Sequence, residues 1–174
     1  KFAPNRSRLY YNFILYKMNY NELVYDKNNL LKNGRFGNVF SGKYKSAIVT
    51  IKEFPKLNTS AEEFAKEVGL LNYLYHTNII QYYGYCSQPK FCIVMEFMPN
   101  GSLYEFLQSN KNYILTINNI FKLIIDIVGG LVYLHKKQFI HGDIRTKNIL
   151  LNKDHRAKLS DLHLNFMNSY NSSN

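Results

Sequence analysis

The sequence predicts an α+β fold in which a strand-rich half carrying one helix precedes a helix-dominated half. Three observations carry this expectation. Short strand-like runs alternate with glycines between Glu22 and Phe54. Two Ser-x-x-Glu capping boxes, at Ser60 and Ser102, open helices. A wide apolar stripe then repeats at helical spacing from Ile117 to Leu134.

Taken in order, residues 1–21 are basic and rich in Asn and Tyr, and read as a linker or the end of an upstream domain. Strand candidates follow at Leu30-Leu31, Val39-Phe40 and Ala47 through Phe54. Behind Ser60, the residues Phe64, Val68, Leu71 and Tyr75 fall on one helical face that packs on the strands. Ile79-Ile80 and Phe91 through Phe97 are two more strands, so five strands and one helix precede Pro99. Ser102 opens a short helix to about Gln108. The long helix spans 117–135, with His135-Lys136-Lys137 matching its negative C-terminal end. Gly129-Gly130 inside it costs about 1 kcal/mol per glycine against alanine, which implies close packing there. Asp126 falls on the polar side and is expected to be solvated. Ile149–Leu151 and Ala157–Leu159 form two short strands, and residues 165–174 are a polar tail expected to be disordered.

Composition narrows the function classes. The chain is 46% hydrophobic and 20% charged, with only 9 Gly and 4 Pro, which suits a packed domain. Its formal charge of +10 is scattered rather than clustered, so nucleic acid is not an expected partner. Cys86 and Cys92 give no metal spacing and no disulfide framework, which fits a cytoplasmic protein. No unbroken apolar run of membrane-spanning length occurs, so no transmembrane segment is expected. Lys1 rather than Met opens the chain, and the expectation is a piece of a longer protein.

The chemistry-bearing residues come in sequence order. Gly34-Arg35-Phe36-Gly37-Asn38-Val39 sits between two strand runs, where backbone amides can approach phosphate oxygens; alone it reads first as an ordinary hairpin. Lys52 lies in a strand and Glu67 on the capped helix, where an ion pair between them could aim an ammonium at phosphates. His141-Gly142-Asp143-Ile144-Arg145-Thr146-Lys147-Asn148 is followed by Asp161-Leu162-His163. Asp143 is placed to orient a hydroxyl, and Asn148 and Asp161 offer oxygens to a hard cation. His141 reads as a packed histidine holding the loop, with Asp143 the better candidate base.

These motifs, in this order, resemble the protein kinase superfamily over residues 22–164, closest to its tyrosine-kinase and tyrosine-kinase-like branch. The resemblance rests on the glycine loop, Lys52, Glu67, His76-Thr77-Asn78-Ile79-Ile80, Ile93-Val94-Met95-Glu96-Phe97-Met98, Asn100-Gly101-Ser102-Leu103 and the two acidic motifs. It implies a two-lobe fold: an antiparallel sheet plus one helix in an N-lobe at 22–98, and a partial, mainly helical C-lobe at 99–164. It implies ATP and Mg2+ as cofactors and a tyrosine-containing protein as substrate. Gly34, Phe36, Gly37, Val39, Thr50, Lys52, Met95, Glu96, Met98 and Leu150 would then bind ATP. Asp143, Lys52, Glu67 and Arg145 would be catalytic, with Asn148 and Asp161 as metal ligands. Arg145, two positions after Asp143, resembles the tyrosine-kinase loop.

The sequence also departs from the family pattern. Lys32 stands where the first loop glycine would be, Thr50 replaces a small Ala, Gly142 replaces an Arg, and His163 replaces a Gly. The chain stops soon after Asp161, so the long helix is expected to expose its apolar stripe unless a partner or further segment covers it. The rival expectation is a kinase-like interaction module without catalysis.

Overall fold

The computed structural model describes residues 16–34, 37–55, 57–109, 116–162 and 164. Its first half is a curled seven-stranded sheet. The strands are β1 (Tyr16–Lys17), β2 (Leu23–Val24), β3 (Leu30–Gly34), β4 (Gly37–Tyr44), β5 (Ala47–Glu53), β6 (Tyr82–Cys86) and β7 (Cys92–Glu96). Their order is β1-β6-β7-β5-β4-β2, with β3 also paired to β4. All pairings are antiparallel except β1 with β6, where Tyr16 lies opposite Gly84. The β-branched run Val49-Thr50-Ile51 makes β5 a central strand, since such side chains fit a pleated surface covered on both faces.

Helix α1 (Ala61–Gly69) begins at the expected capping box, with the Ser60 hydroxyl accepting from Glu63 N and the Glu63 carboxylate accepting from Ser60 N. It lays Phe64 and Val68 on the sheet, where Phe64 meets Phe54, Tyr85 and Phe91. The helical face does not run on to Tyr75 as expected. The α-helix ends at Gly69, a 3-10 turn follows over Leu70–Tyr73, and Tyr75 is exposed. Glycine weakens a helix interior, and the tighter turn brings Leu71 into the core instead.

Two further corrections concern strands. Ile79-Ile80 is buried but makes only an isolated bridge to Leu159; the strand forms downstream at Tyr82–Cys86. An apolar pair bounded by turn residues has the same pattern in either role. Part of the presumed linker, residues 1–21, also joins the sheet: β1 pairs with β6 at its margin, and Tyr20 donates to the Glu53 carboxylate. Residues 1–15 of that segment, and residues 165–174, lie outside the described residues.

The second half holds α2 (Leu103–Ser109), α3 (Ile117–Lys136) and the hairpin β8 (Ile149–Leu151)–β9 (Ala157–Leu159). Helix α2 carries the second capping box, with Glu105 N donating to the Ser102 hydroxyl at 3.2 Å. Helix α3 docks through a mixed side, Asp126, Gly130 and Leu134 with Leu123, Ile127 and Leu131 packed beside them, and leaves much of its apolar stripe outward. Gly130 and Leu134 are buried, and so is Asp126, against the expectation that it is solvated. Arg156 holds the Asp126 carboxylate with Nε at 2.8 Å and Nη2 at 2.5 Å, and Ala157 N adds a third bond. A Cβ on Gly130 would lie 2.8 Å from Asn78 O, so glycine is what lets α3 approach the 76–80 turn and β9.

The opposite face of α3 is open, with Ile117, Phe121 and Ile125 at 70%, 57% and 65% exposure. By length and composition alone this helix is long and apolar enough to cross a membrane, although Asn, Lys, Asp and His interrupt its apolar run. The buried Asp126–Arg156 pair and the Gly130 contact nevertheless dock it against β9. The architecture is therefore the expected α+β arrangement, a curled sheet with one packed helix followed by a mainly helical part.

Candidate active site

A cleft partly open to solvent lies between the sheet and the helical part, with an inner volume of about 170 Å³. Its walls include Val39 from β4, Thr50 and Lys52 from β5, Met95 from β7, Met98 and Leu150, with Asp161 at one end. Alternation along β5 turns Thr50 and Lys52 to the same face, since side chains two apart share a side. Expected residues scattered from 39 to 161 thus meet in one concavity.

Hydrogen bonds of the 76–80 turn place Asp161. Leu159 N donates to Asn78 O at 2.8 Å and Ile80 N to Leu159 O at 2.9 Å, clamping β9 to the turn that α3 supports. Ser160 N and its hydroxyl both donate to Asn148 O, joining the end of β9 to the residue before β8. Asp161 then takes a left-handed backbone, φ 58°. Such a conformation costs a non-glycine residue about 1–2 kcal/mol, so neighbouring contacts must hold it.

Those contacts are ionic. Lys52 Nζ lies 2.6 Å from Asp161 Oδ1 and Lys32 Nζ 3.1 Å from Oδ2. Burial raises the Asp161 pKa, but the two ammoniums outweigh it and hold the carboxyl well below the usual carboxylate range. The expected Lys52–Glu67 pair is not formed: the ion-pair partner of Lys52 is Asp161, while Glu67 is half-buried on α1 with contacts of its own.

Asn148 is buried, and its amide is oriented by Asp143. Nδ2 donates to Asp143 O at 3.0 Å and to Asp143 Oδ2 at 2.8 Å, which turns Oδ1 toward Asp161 and Lys32. Asp143 itself is exposed, as is Arg145. His141 is buried, accepts from Asp143 N at 3.3 Å, and has no partner for Nε2 among the described residues. Burial pushes its pKa down, against smaller raising effects that include Asp143. It is a loop-packing histidine, as its sequence context suggests.

The remaining expected residues fall at the edges. Gly34 and Gly37 pair across the β3–β4 turn, and a Cβ on Gly37 would collide with the Glu53 carbonyl, so glycine there is a packing requirement. Glu96 points its carboxylate at Lys158 Nζ (2.6 Å) and Gln81 N (2.6 Å), tying β7 to β9. Phe36 and His163 lie outside the described residues. Sequence reasoning missed two cleft features, the Lys32 ammonium and Lys147 over the Tyr104 ring at 4.7 Å. Lys32 carried a signal, since it replaces a residue that has no side chain.

Asn148 Oδ1 and Asp161 Oδ2 both face the Lys32 ammonium, at 3.4 Å and 3.1 Å. An amide and a carboxylate oxygen are hard donors that fit magnesium. No group of three or more His, Cys, Asp or Glu residues suited to a metal occurs among the described residues. A magnesium ion here would thus have two protein ligands and fill its shell with water and phosphate oxygens.

Residues 25–173 match the family model described as protein tyrosine and serine/threonine kinase. The chain is 36% identical over 135 residues to the serine/threonine-protein kinase STY46 of Arabidopsis thaliana, covering 75% of this chain and 23% of that protein. It is 34% identical over 142 residues to the serine/threonine/tyrosine-protein kinase HT1 of the same plant, covering 76% and 36%. It is also 34% identical over 137 residues to the mouse tyrosine-protein kinase ABL2, covering 77% and 12%. The chain thus spans about a quarter of the first of these relatives and little more than a third of the second. A cleft between sheet and helices, with Lys52, Asn148 and Asp161 gathered at its end, and a family match along most of the chain lead to one conclusion: the chain belongs to the protein tyrosine and serine/threonine kinase family.

Proposed function

We propose that this chain forms the nucleotide-binding part of a protein kinase that transfers the terminal phosphoryl group of ATP to a protein hydroxyl, with tyrosine as the preferred acceptor. The observation that carries the proposal is the convergence of Lys52, Asp161, Asn148 and Asp143 at one end of an apolar cleft. Val39, Thr50 and Leu150 enclose the adenine, beside Met95 and the backbone of Glu96 and Met98. Gly34, Phe36 and Gly37 belong to the loop over the phosphates. Lys52 neutralises phosphate charge, and Glu67 becomes its partner when nucleotide separates Lys52 from Asp161. Asn148 and Asp161 hold magnesium, which when bound spreads the charge of the phosphates. Asp143, exposed and braced by Asn148, orients the attacking hydroxyl. Arg145 supports tyrosine as acceptor, while the named relatives include kinases of both specificities.

The test is transfer of labelled phosphate from ATP by the full-length protein to matched tyrosine and serine peptides. Faster labelling of the tyrosine peptide, lost about 100-fold or more in Asp143→Asn, is the expected result. Equal turnover by Asp143→Asn would remove Asp143 from the mechanism, and faster serine labelling would remove the tyrosine preference.

A second reading is a kinase-like interaction module without turnover. It is favoured by Lys32 at the cation position and by the Thr50 hydroxyl on the cleft wall. Partner binding independent of ATP, with no phosphate transfer, would select it. The free cysteines Cys86 and Cys92 support a cytoplasmic location, and the open apolar face of α3 supports a covering protein segment.

A further inference from the structure

The position between Asn148 and Asp161 is already held by a positive charge of the protein itself. Lys32 leaves β3 at the place where it pairs with Val39, and its side chain crosses the cleft to the end of β9. Nζ reaches Asp161 Oδ2 at 3.1 Å and Asn148 Oδ1 at 3.4 Å. These are the same two oxygens that fit a divalent cation. We propose that Lys32 is an internal competitor for that cation: its ammonium fills the position between Asn148 Oδ1 and Asp161 Oδ2, and a metal ion binds there only after displacing it.

Three features make this a built arrangement rather than a chance surface pair. The Asn148 amide is fixed through Nδ2 by two bonds to Asp143, so Oδ1 has one direction to face. Asp161 meets two lysines at once, one on each carboxylate oxygen, and Lys52 is buried. Two ammoniums face the single Asp161 carboxylate, while the Asp143 carboxylate lies on the other side of the Asn148 amide, so the positive excess is local to Lys32, Lys52 and Asp161. That charge repels a free divalent ion and attracts the phosphates of a nucleotide. Lys32 and Lys52 together bring two positive charges, the charge of one divalent ion. A nucleoside triphosphate therefore binds here with little dependence on divalent metal, a consequence that rests on the nucleotide reading above.

Mn2+ titration of the full-length protein without nucleotide, followed by the electron paramagnetic resonance of free Mn2+, tests the competition directly. Lys32→Ala and Lys32→Met are compared with the parent, the second keeping the aliphatic stem so that lost packing is not mistaken for lost charge. Both variants are expected to bind Mn2+ about tenfold more tightly, since the metal no longer displaces an ammonium. Affinity equal to or below that of the parent, or no Mn2+ binding by any of the three, overturns the proposal.

A second arm measures a fluorescent ATP analogue with excess Mg2+ and with chelator. The parent is expected to change affinity less than about threefold between the two conditions, and Lys32→Met about tenfold or more. An equal metal dependence in both overturns the consequence drawn for nucleotide. Failure of parent and variants alike to bind the analogue overturns the nucleotide reading instead, and the Mn2+ arm still decides the role of Lys32.

Discussion

Asp126 and Arg156 form a bidentate pair across the α3–β9 contact, with the carboxylate buried and the guanidinium about half exposed. The pair is asymmetric, and so are its expected defects. Arg156→Ala strands a buried carboxylate, which costs about 3 kcal/mol or more. Asp126→Asn leaves Arg156 to water and weakens the bond from Ala157 N, costing about 1–3 kcal/mol. Urea unfolding should therefore find Arg156→Ala the less stable of the two. The reverse order would mean that the carboxylate is not buried against β9.

Gly130 is the second point of that contact. Alanine gains about 1 kcal/mol in helix propensity, but its Cβ would lie 2.8 Å from Asn78 O and 3.0 Å from Leu159 Cδ1. Overpacking of this kind costs about 1–3 kcal/mol, so Gly130→Ala should be neutral to destabilising and should weaken nucleotide binding by shifting β9 and Asp161. Gly129→Ala meets its nearest atom, Asn78 Oδ1, at 3.3 Å and should be the milder change in both assays. Equal effects at the two glycines would argue against close docking of α3.

The fold's outline was legible because its signals are local. Both capping boxes form, and Phe64 and Val68 sit on the core face that their spacing indicates. Asp126 was misplaced for a long-range reason. It does lie opposite the exposed apolar residues, but Gly130, Asn78 and Arg156, together with buried Leu134, make its side the docked one. The site residues were legible as a set, since Val39, Thr50, Lys52 and Asp161 meet in the cleft. Their pairing was not. Which carboxylate Lys52 reaches, and where the Lys32 ammonium ends, depend on how far β5 and β3 stand from β9, and no local pattern encodes that distance.

Acid should destabilise the protein through buried His141 and half-buried His76. Burial lowers the pKa of His141 from its ordinary 6.5, and does the same to His76. The unfolded chain then binds protons more readily than the folded one. Stability from these groups is complete above pH 6.5 and is lost as pH falls through 6.5 toward the folded values. Melting midpoints should fall between pH 7 and pH 5, and His141→Gln should flatten that slope. A His141 imidazole that titrates by NMR at or above the ordinary value would contradict this.

The central claim is that the cleft ending at Lys52 and Asp161 binds ATP. Isothermal titration of the full-length protein with ATP, compared with its Lys52→Met variant, tests it most directly. The account predicts saturable one-to-one binding by the parent, weakened about tenfold or more when the Lys52 ammonium is removed. No binding by the parent, or equal affinity in Lys52→Met, would contradict it.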